Sequence, residues 1–114
     1  MNRLLIASLF AVLTAGPAFA ADRLPVVASF SILGDMVSRV GGDRVSVTTL
    51  VGPDGDAHVY EPTPNDVKAV AGAKLLVVNG LGFEGWMSRL AEASGYAGPV
   101  TVASEGVKPR EMAE

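Results

Sequence analysis

Apolar and polar positions along residues 21–114 fall into strand-like and helix-like runs that alternate. Pro25-Val26-Val27-Ala28-Ser29 reads as a short buried strand. Ser31 to Val40 follows with Ile32, Leu33, Met36, Val37 and Val40 on one helical face. On that helix Asp35 stands four residues before Arg39, the order the helix dipole prefers, and Gly41-Gly42 closes it. Val45 to Val51 alternates, with Val45, Val47, Thr49 and Val51 on one side, which predicts an edge strand. A second helix from Pro64 to Ala71 buries Val67, Val70 and Ala71 and ends at Gly72. Leu75-Leu76-Val77-Val78 is continuously apolar, the mark of a strand covered on both faces. Phe83, Trp86, Met87, Leu90 and Ala91 then recur at helical spacing up to Gly95, an aromatic and methionine stripe that reads as core. Val100-Thr101-Val102-Ala103 makes a fourth strand. Strands and helices that alternate with short connections predict an α/β fold. The expected architecture is a four-stranded parallel sheet with helices on both faces and right-handed crossovers.

One connection is richer in chemistry than the rest. Gly52-Pro53-Asp54-Gly55-Asp56-Ala57-His58-Val59-Tyr60-Glu61-Pro62-Thr63-Pro64-Asn65-Asp66 carries the single histidine and three of the seven prolines. Glycine and proline break regular structure, while Asp and Asn favour turns. Thr63-Pro64-Asn65-Asp66 reads as a helix start, with Thr63 as cap, Pro64 in the first turn and Asp66 three residues after the cap. His58 is therefore projected from an ordered turn. A lone loop histidine is more often solvated or bonded to backbone than bound to metal. An imidazole does suit Zn, Mn or Fe, and Asp56 or Glu61 could orient its second nitrogen. One imidazole is not a complete site.

Residues 1–20 have the organisation of a secretory signal. Asn2-Arg3 is a short positive start, Leu4 to Ala15 is mostly apolar, and Gly16-Pro17 precedes an A-x-A site at Ala18-Phe19-Ala20. Cleavage after Ala20 is expected, leaving residues 21–114 as one small domain and no stable membrane insertion. Loss of Arg3 moves the net charge from −3 to −4. No basic run or stripe exists, which argues against nucleic acid and anionic membranes as partners. The chain has no cysteine, hence no disulfide, no thiolate ligand and no lipid attachment at the cleavage site. A freely soluble periplasmic protein fits these features. Lys108-Pro109-Arg110 and the residues around it look loop-like, with nothing after them to cover the last strand.

Gly80-Leu81-Gly82-Phe83-Glu84-Gly85 offers a competing motif. It follows a strand, precedes a helix, and Glu105 lies past the next strand where a ribose-binding acid could sit. An exported dinucleotide-binding oxidoreductase is therefore the alternative reading. The plainer account is that these glycines let a helix start close to the sheet. Catalysis otherwise has little support. With one histidine, no cysteine and no base beside a candidate serine, no nucleophile–base pair can be assembled, and the paired acids of the loop have no specific spacing.

Asp56-Ala57-His58-Val59-Tyr60-Glu61-Pro62-Thr63-Pro64 resembles the D-P-H-x-Y-E-P-T-P segment of the zinc/manganese-binding proteins that serve ABC importers. The resemblance extends in order through Val26-Val27-Ala28-Ser29-Phe30, Leu50-Val51-Gly52-Pro53 and Val77-Val78-Asn79-Gly80-Leu81-Gly82-Phe83-Glu84-Gly85-Trp86, and so covers nearly all of the chain after the leader. Ala57 stands where the family often has proline. The resemblance implies a two-lobed protein in which a long helix joins the lobes and the metal lies between them. The present residues match the N-terminal lobe alone. It further implies that His58 is the first metal ligand and that the remaining ligands lie beyond this chain. Zn²⁺ or Mn²⁺ is then the transported ligand, and a membrane-embedded ABC permease is the partner. A lobe that folds without performing this work is the third possibility.

Overall fold

The computed structural model describes residues 21–112, so the predicted leader lies outside the described residues. Four strands, β1 (Leu24–Phe30), β2 (Val45–Val51), β3 (Leu75–Val78) and β4 (Val100–Val102), form one sheet in the order β2-β1-β3-β4, and each neighbouring pair is parallel. Three helices connect them: α1 (Ser31–Gly41), α2 (Pro64–Gly72) and α3 (Met87–Ser94). The expected fold class is thus the observed one, with β2 at an edge as its alternation required.

Period-two alternation along the central strands divides the interior into two layers. Val27, Leu76 and Val78 point into the larger one, where they meet Val70 of α2, Met87 and Leu90 of α3, and Trp86. Val26, Ala28 and Val77 point the other way and meet Leu33 and Val37 of α1. This division follows from topology. The β1–β2 crossover runs one way along the sheet and the later crossovers run back, so connections of a single hand must lie on opposite faces. Gly34 lets α1 lie close to the sheet, because a Cβ there would collide with the Thr49 hydroxyl.

Several burial expectations need correction. Ile32, Met36 and Val40 of α1 do not join the core; Val40 is 91 % exposed. The reason is that α1 lies mainly over β1 and β2 and reaches β3 at Val77. Beside it an open apolar groove of about 310 Å³ remains, lined by Met36, Val40, Leu75, Val77, Thr101 and Ala103. On α2, Val70 is buried and Val67 half-buried, but Ala71 is exposed. In β2 the alternation ends early, since Val45 and Val47 pack toward α1 whereas Leu50 and Val51 both belong to the opposite layer.

Candidate metal site

The loop after β2 is built from short-range bonds. Gly55 donates its N–H to the Gly52 carbonyl at 3.1 Å, closing a turn. Asp56 Oδ1 then accepts the backbone N–H of His58 at 2.8 Å and lies 3.1 Å from the His58 ring Nδ1. Such local acceptance is what Asp contributes to turns. Between them Ala57 is buried in the larger layer, and its carbonyl accepts the Trp86 indole N–H at 2.6 Å. The loop is therefore pinned to α3's entry one residue before the histidine. The His58 N–H and ring bonds hold the Asp56 carboxyl below its ordinary value, the backbone bond being the larger cause.

The far side of the loop is fixed by the helix start expected from Thr63 and Asp66. The Thr63 hydroxyl accepts the Asp66 N–H at 3.3 Å while Asp66 Oδ2 accepts the Thr63 N–H at 2.7 Å, a complete capping box with Pro64 just inside. The same Oδ2 accepts the Tyr60 hydroxyl at 2.8 Å, and the Tyr60 ring stands edge-on to Trp86 with centroids 5.0 Å apart. Burial, together with the bond to Asp66, pushes the Tyr60 phenol up to about 12.

His58 itself projects from this frame with its side chain 63 % exposed. Its ring meets Phe83 edge to face at 4.5 Å, and Phe83 meets Phe30 at 4.9 Å. Phe83 is thus half-buried beside the histidine rather than part of the α3 core stripe. The cause is the preceding turn. Gly80, Leu81 and Gly82 all have positive φ (80°, 56° and 73°), so α3 begins only at Met87. His58, Phe30, Phe83, Asp54 and Asp56 line an open depression of about 440 Å³ at the carboxyl ends of β1 and β2. Open α/β sheets bind ligands at this edge.

A second set of bonds anchors the floor. Glu84 is 8 % exposed, and its Oε2 accepts the Ser29 hydroxyl at 2.7 Å and the Asn79 N–H at 2.9 Å, while Oε1 accepts the Gly80 N–H at 2.8 Å. One carboxylate thereby ties the end of β1 to the end of β3. The Asn79 and Gly80 N–H groups at the head of the glycine run are taken by the chain's own acid, and the Phe30 and Phe83 rings meet beside them. Nothing here supports dinucleotide binding through Gly80, Gly82, Gly85 and Glu105. Among the described residues no three His, Asp or Glu side chains converge on a point that would hold a metal ion. These residues offer one imidazole, His58, with Asp56 behind it.

Residues 26–114 match the family described as zinc-uptake complex component A, periplasmic. The chain belongs to this family. Among the family's relatives, the manganese-binding lipoprotein MntA of Halalkalibacterium halodurans is 48 % identical over 71 residues, covering 62 % of this chain and 24 % of its own length. The iron-binding protein YfeA of Yersinia pestis is 30 % identical over 98 residues, 86 % of this chain and 31 % of its own. The Mn-bound periplasmic metal-binding protein of Candidatus Liberibacter asiaticus superposes with a TM-score of 0.72 at 30 % identity, over 82 % of this chain and 35 % of that one. The chain spans about a quarter to a third of the length of these relatives. The resemblance read from the His58 segment thus stands as family membership. Phe83 and Glu84 lie inside a segment that carries the resemblance, but no local signal marks either as part of the site, because the contacts that bring them there depend on Ser29 far along the chain and on the left-handed turn before Phe83.

Proposed function

We propose that this chain is the N-terminal lobe of a periplasmic binding protein that captures Zn²⁺ or Mn²⁺ and delivers it to the permease of an ABC importer. In this reading residues 1–20 are the export signal and residues 21–114 the lobe. The family consists of binding proteins rather than enzymes, and capture and release need no covalent chemistry. Neutral imidazole from His58 supplies one nitrogen donor, and ligands from a second lobe complete the shell. Release follows when the transporter changes the relation between the lobes.

The observation that carries the proposal is the setting of the single histidine. His58 sits at the carboxyl-end edge of the sheet, its loop tied down by Asp56, by Trp86 through Ala57, and by the Thr63–Asp66 box, while its ring stays exposed. A solvated histidine would need none of this framing. The test is titration calorimetry on a protein that carries this lobe together with its partner lobe. His58→Ala is expected to weaken Zn²⁺ or Mn²⁺ binding by orders of magnitude. Unchanged affinity would remove His58 from the site and the proposal with it.

A further inference from the structure

A histidine offered to a metal has to present a lone pair, and a neutral imidazole has only one. Which nitrogen carries it depends on the hydrogen bond made by the other. In this chain the choice is built into the loop. Asp56 Oδ1 takes the His58 backbone N–H at 2.8 Å, which sets the carboxylate at a fixed point relative to the ring. The same oxygen lies 3.1 Å from Nδ1. A carboxylate is an acceptor only, so this contact is attractive when Nδ1 carries the proton. Glu61, the other acid within reach by sequence, makes no hydrogen bond to the ring among the described residues. Phe83 stands edge-on to the imidazole at 4.5 Å, a contact that restricts ring rotation. No hydrogen bond reaches Nε2 among the described residues.

We infer that Asp56 is a positioning residue that holds His58 in its Nδ1–H tautomer, so that Nε2 is the nitrogen presented to the metal. The inference rests on the metal-binding reading above and deepens it. Its physical content is that the lone pair is pre-set before any ion arrives, so no tautomer exchange or ring flip accompanies binding. Hydrogen-bonded acids behind metal-bound histidines typically contribute about 10- to 100-fold in affinity.

The single histidine makes the test unambiguous. Long-range proton–nitrogen correlation spectra of the ¹⁵N-labelled chain, without metal and with the ring neutral, report which nitrogen is protonated. The wild-type chain is expected to show protonated Nδ1 and unprotonated Nε2. Asp56→Ala removes both bonds and is expected to shift the ring toward the Nε2–H form. Asp56→Asn keeps an acceptor oxygen at the same distance and is expected to restore Nδ1–H. Because Asp56 is exposed, the fold is expected to survive both changes, and unchanged signals from the Trp86 indole N–H and from the buried Val26 and Val70 methyls verify this. A wild-type Nε2–H ring, or an Asp56→Ala ring indistinguishable from wild type, overturns the inference. Added Zn²⁺ separates it from the broader reading. Zinc that perturbs Nε2 supports both, and zinc on Nδ1 overturns the donor assignment alone. Zinc in large excess, enough to occupy the weak site expected of a single lobe, that still leaves both nitrogens unmoved overturns the metal reading and the donor assignment with it.

Discussion

Replacing Glu84 by Gln tests whether the carboxylate clasp holds the floor of the site. The two side chains are nearly the same size, so the buried volume at this position is preserved. What changes is one acceptor. If the new amide nitrogen takes the place of Oε1, it faces the Gly80 N–H; if it takes the place of Oε2, it faces the Asn79 N–H. The Ser29 hydroxyl can turn to accept, but a backbone N–H cannot. Either orientation orphans one backbone donor in a partly buried position, which costs about 1–3 kcal/mol. A small domain has only about 5–15 kcal/mol of stability in total, so the change is large. With a urea m-value of about 2 kcal/mol/M, a loss near 2 kcal/mol lowers the unfolding midpoint by about 1 M without changing the slope. Circular dichroism through a urea gradient reads both quantities. Glu84→Ala, which releases the Ser29 hydroxyl and both amides together, is expected to lower the midpoint further. A Gln variant that unfolds at the wild-type midpoint would show that the amides do not rely on the carboxylate, and the clasp would have to be abandoned.

Other expectations follow from the same geometry. The Tyr60 phenol is raised above its unfolded value of about 10, so the stability it contributes is complete below about pH 10 and is lost as pH rises toward 12. Absorbance at the phenolate band should show a tyrosine titrating near 12, and a normal midpoint for both tyrosines would contradict the Asp66 bond. Thr63→Ala removes the cap and should cost about 1 kcal/mol in thermal or urea unfolding; no loss would mean the box is not formed in solution. The chain by itself is expected to hold Zn²⁺ weakly, because structural and catalytic zinc sites use three or four protein ligands and the described residues bring one imidazole. Equilibrium dialysis checks this: tight stoichiometric binding by a monomer, abolished in His58→Ala, would show a complete site within this lobe.

Much of this architecture was legible because its signals are local. The apolar run Leu75–Val78 and the alternating Val45–Val51 coincide with β3 and β2, and the Thr63–Asp66 box lies where its spacing placed it. His58 was visible for a similar reason, since turn residues on either side fix a loop without help from elsewhere. What escaped depends on distance along the chain. Ser29 and Glu84 are 55 residues apart, and an acid inside a glycine run reads as a solvent-facing residue until the strand ends that flank it are known. Phe83 shares helical spacing with Trp86, Met87 and Leu90, and only the left-handed backbone at Gly80, Leu81 and Gly82 takes it out of the helix and brings it to the histidine. The apolar face of α1 misled in the opposite way. Periodicity reports which residues share a face, but whether anything covers that face is decided by the direction of the crossovers.

The bond from Trp86 to the Ala57 carbonyl has a practical consequence. This is the only tryptophan in the chain, its ring is buried, and its N–H ends one residue from the histidine. Indole emission responds to hydrogen bonding and to the polarity around the ring, so the protein carries its own optical reporter at the loop. A displacement of that loop when an ion arrives at His58 would change the colour or yield of a single, unlabelled fluorophore, and stopped-flow mixing could time the event.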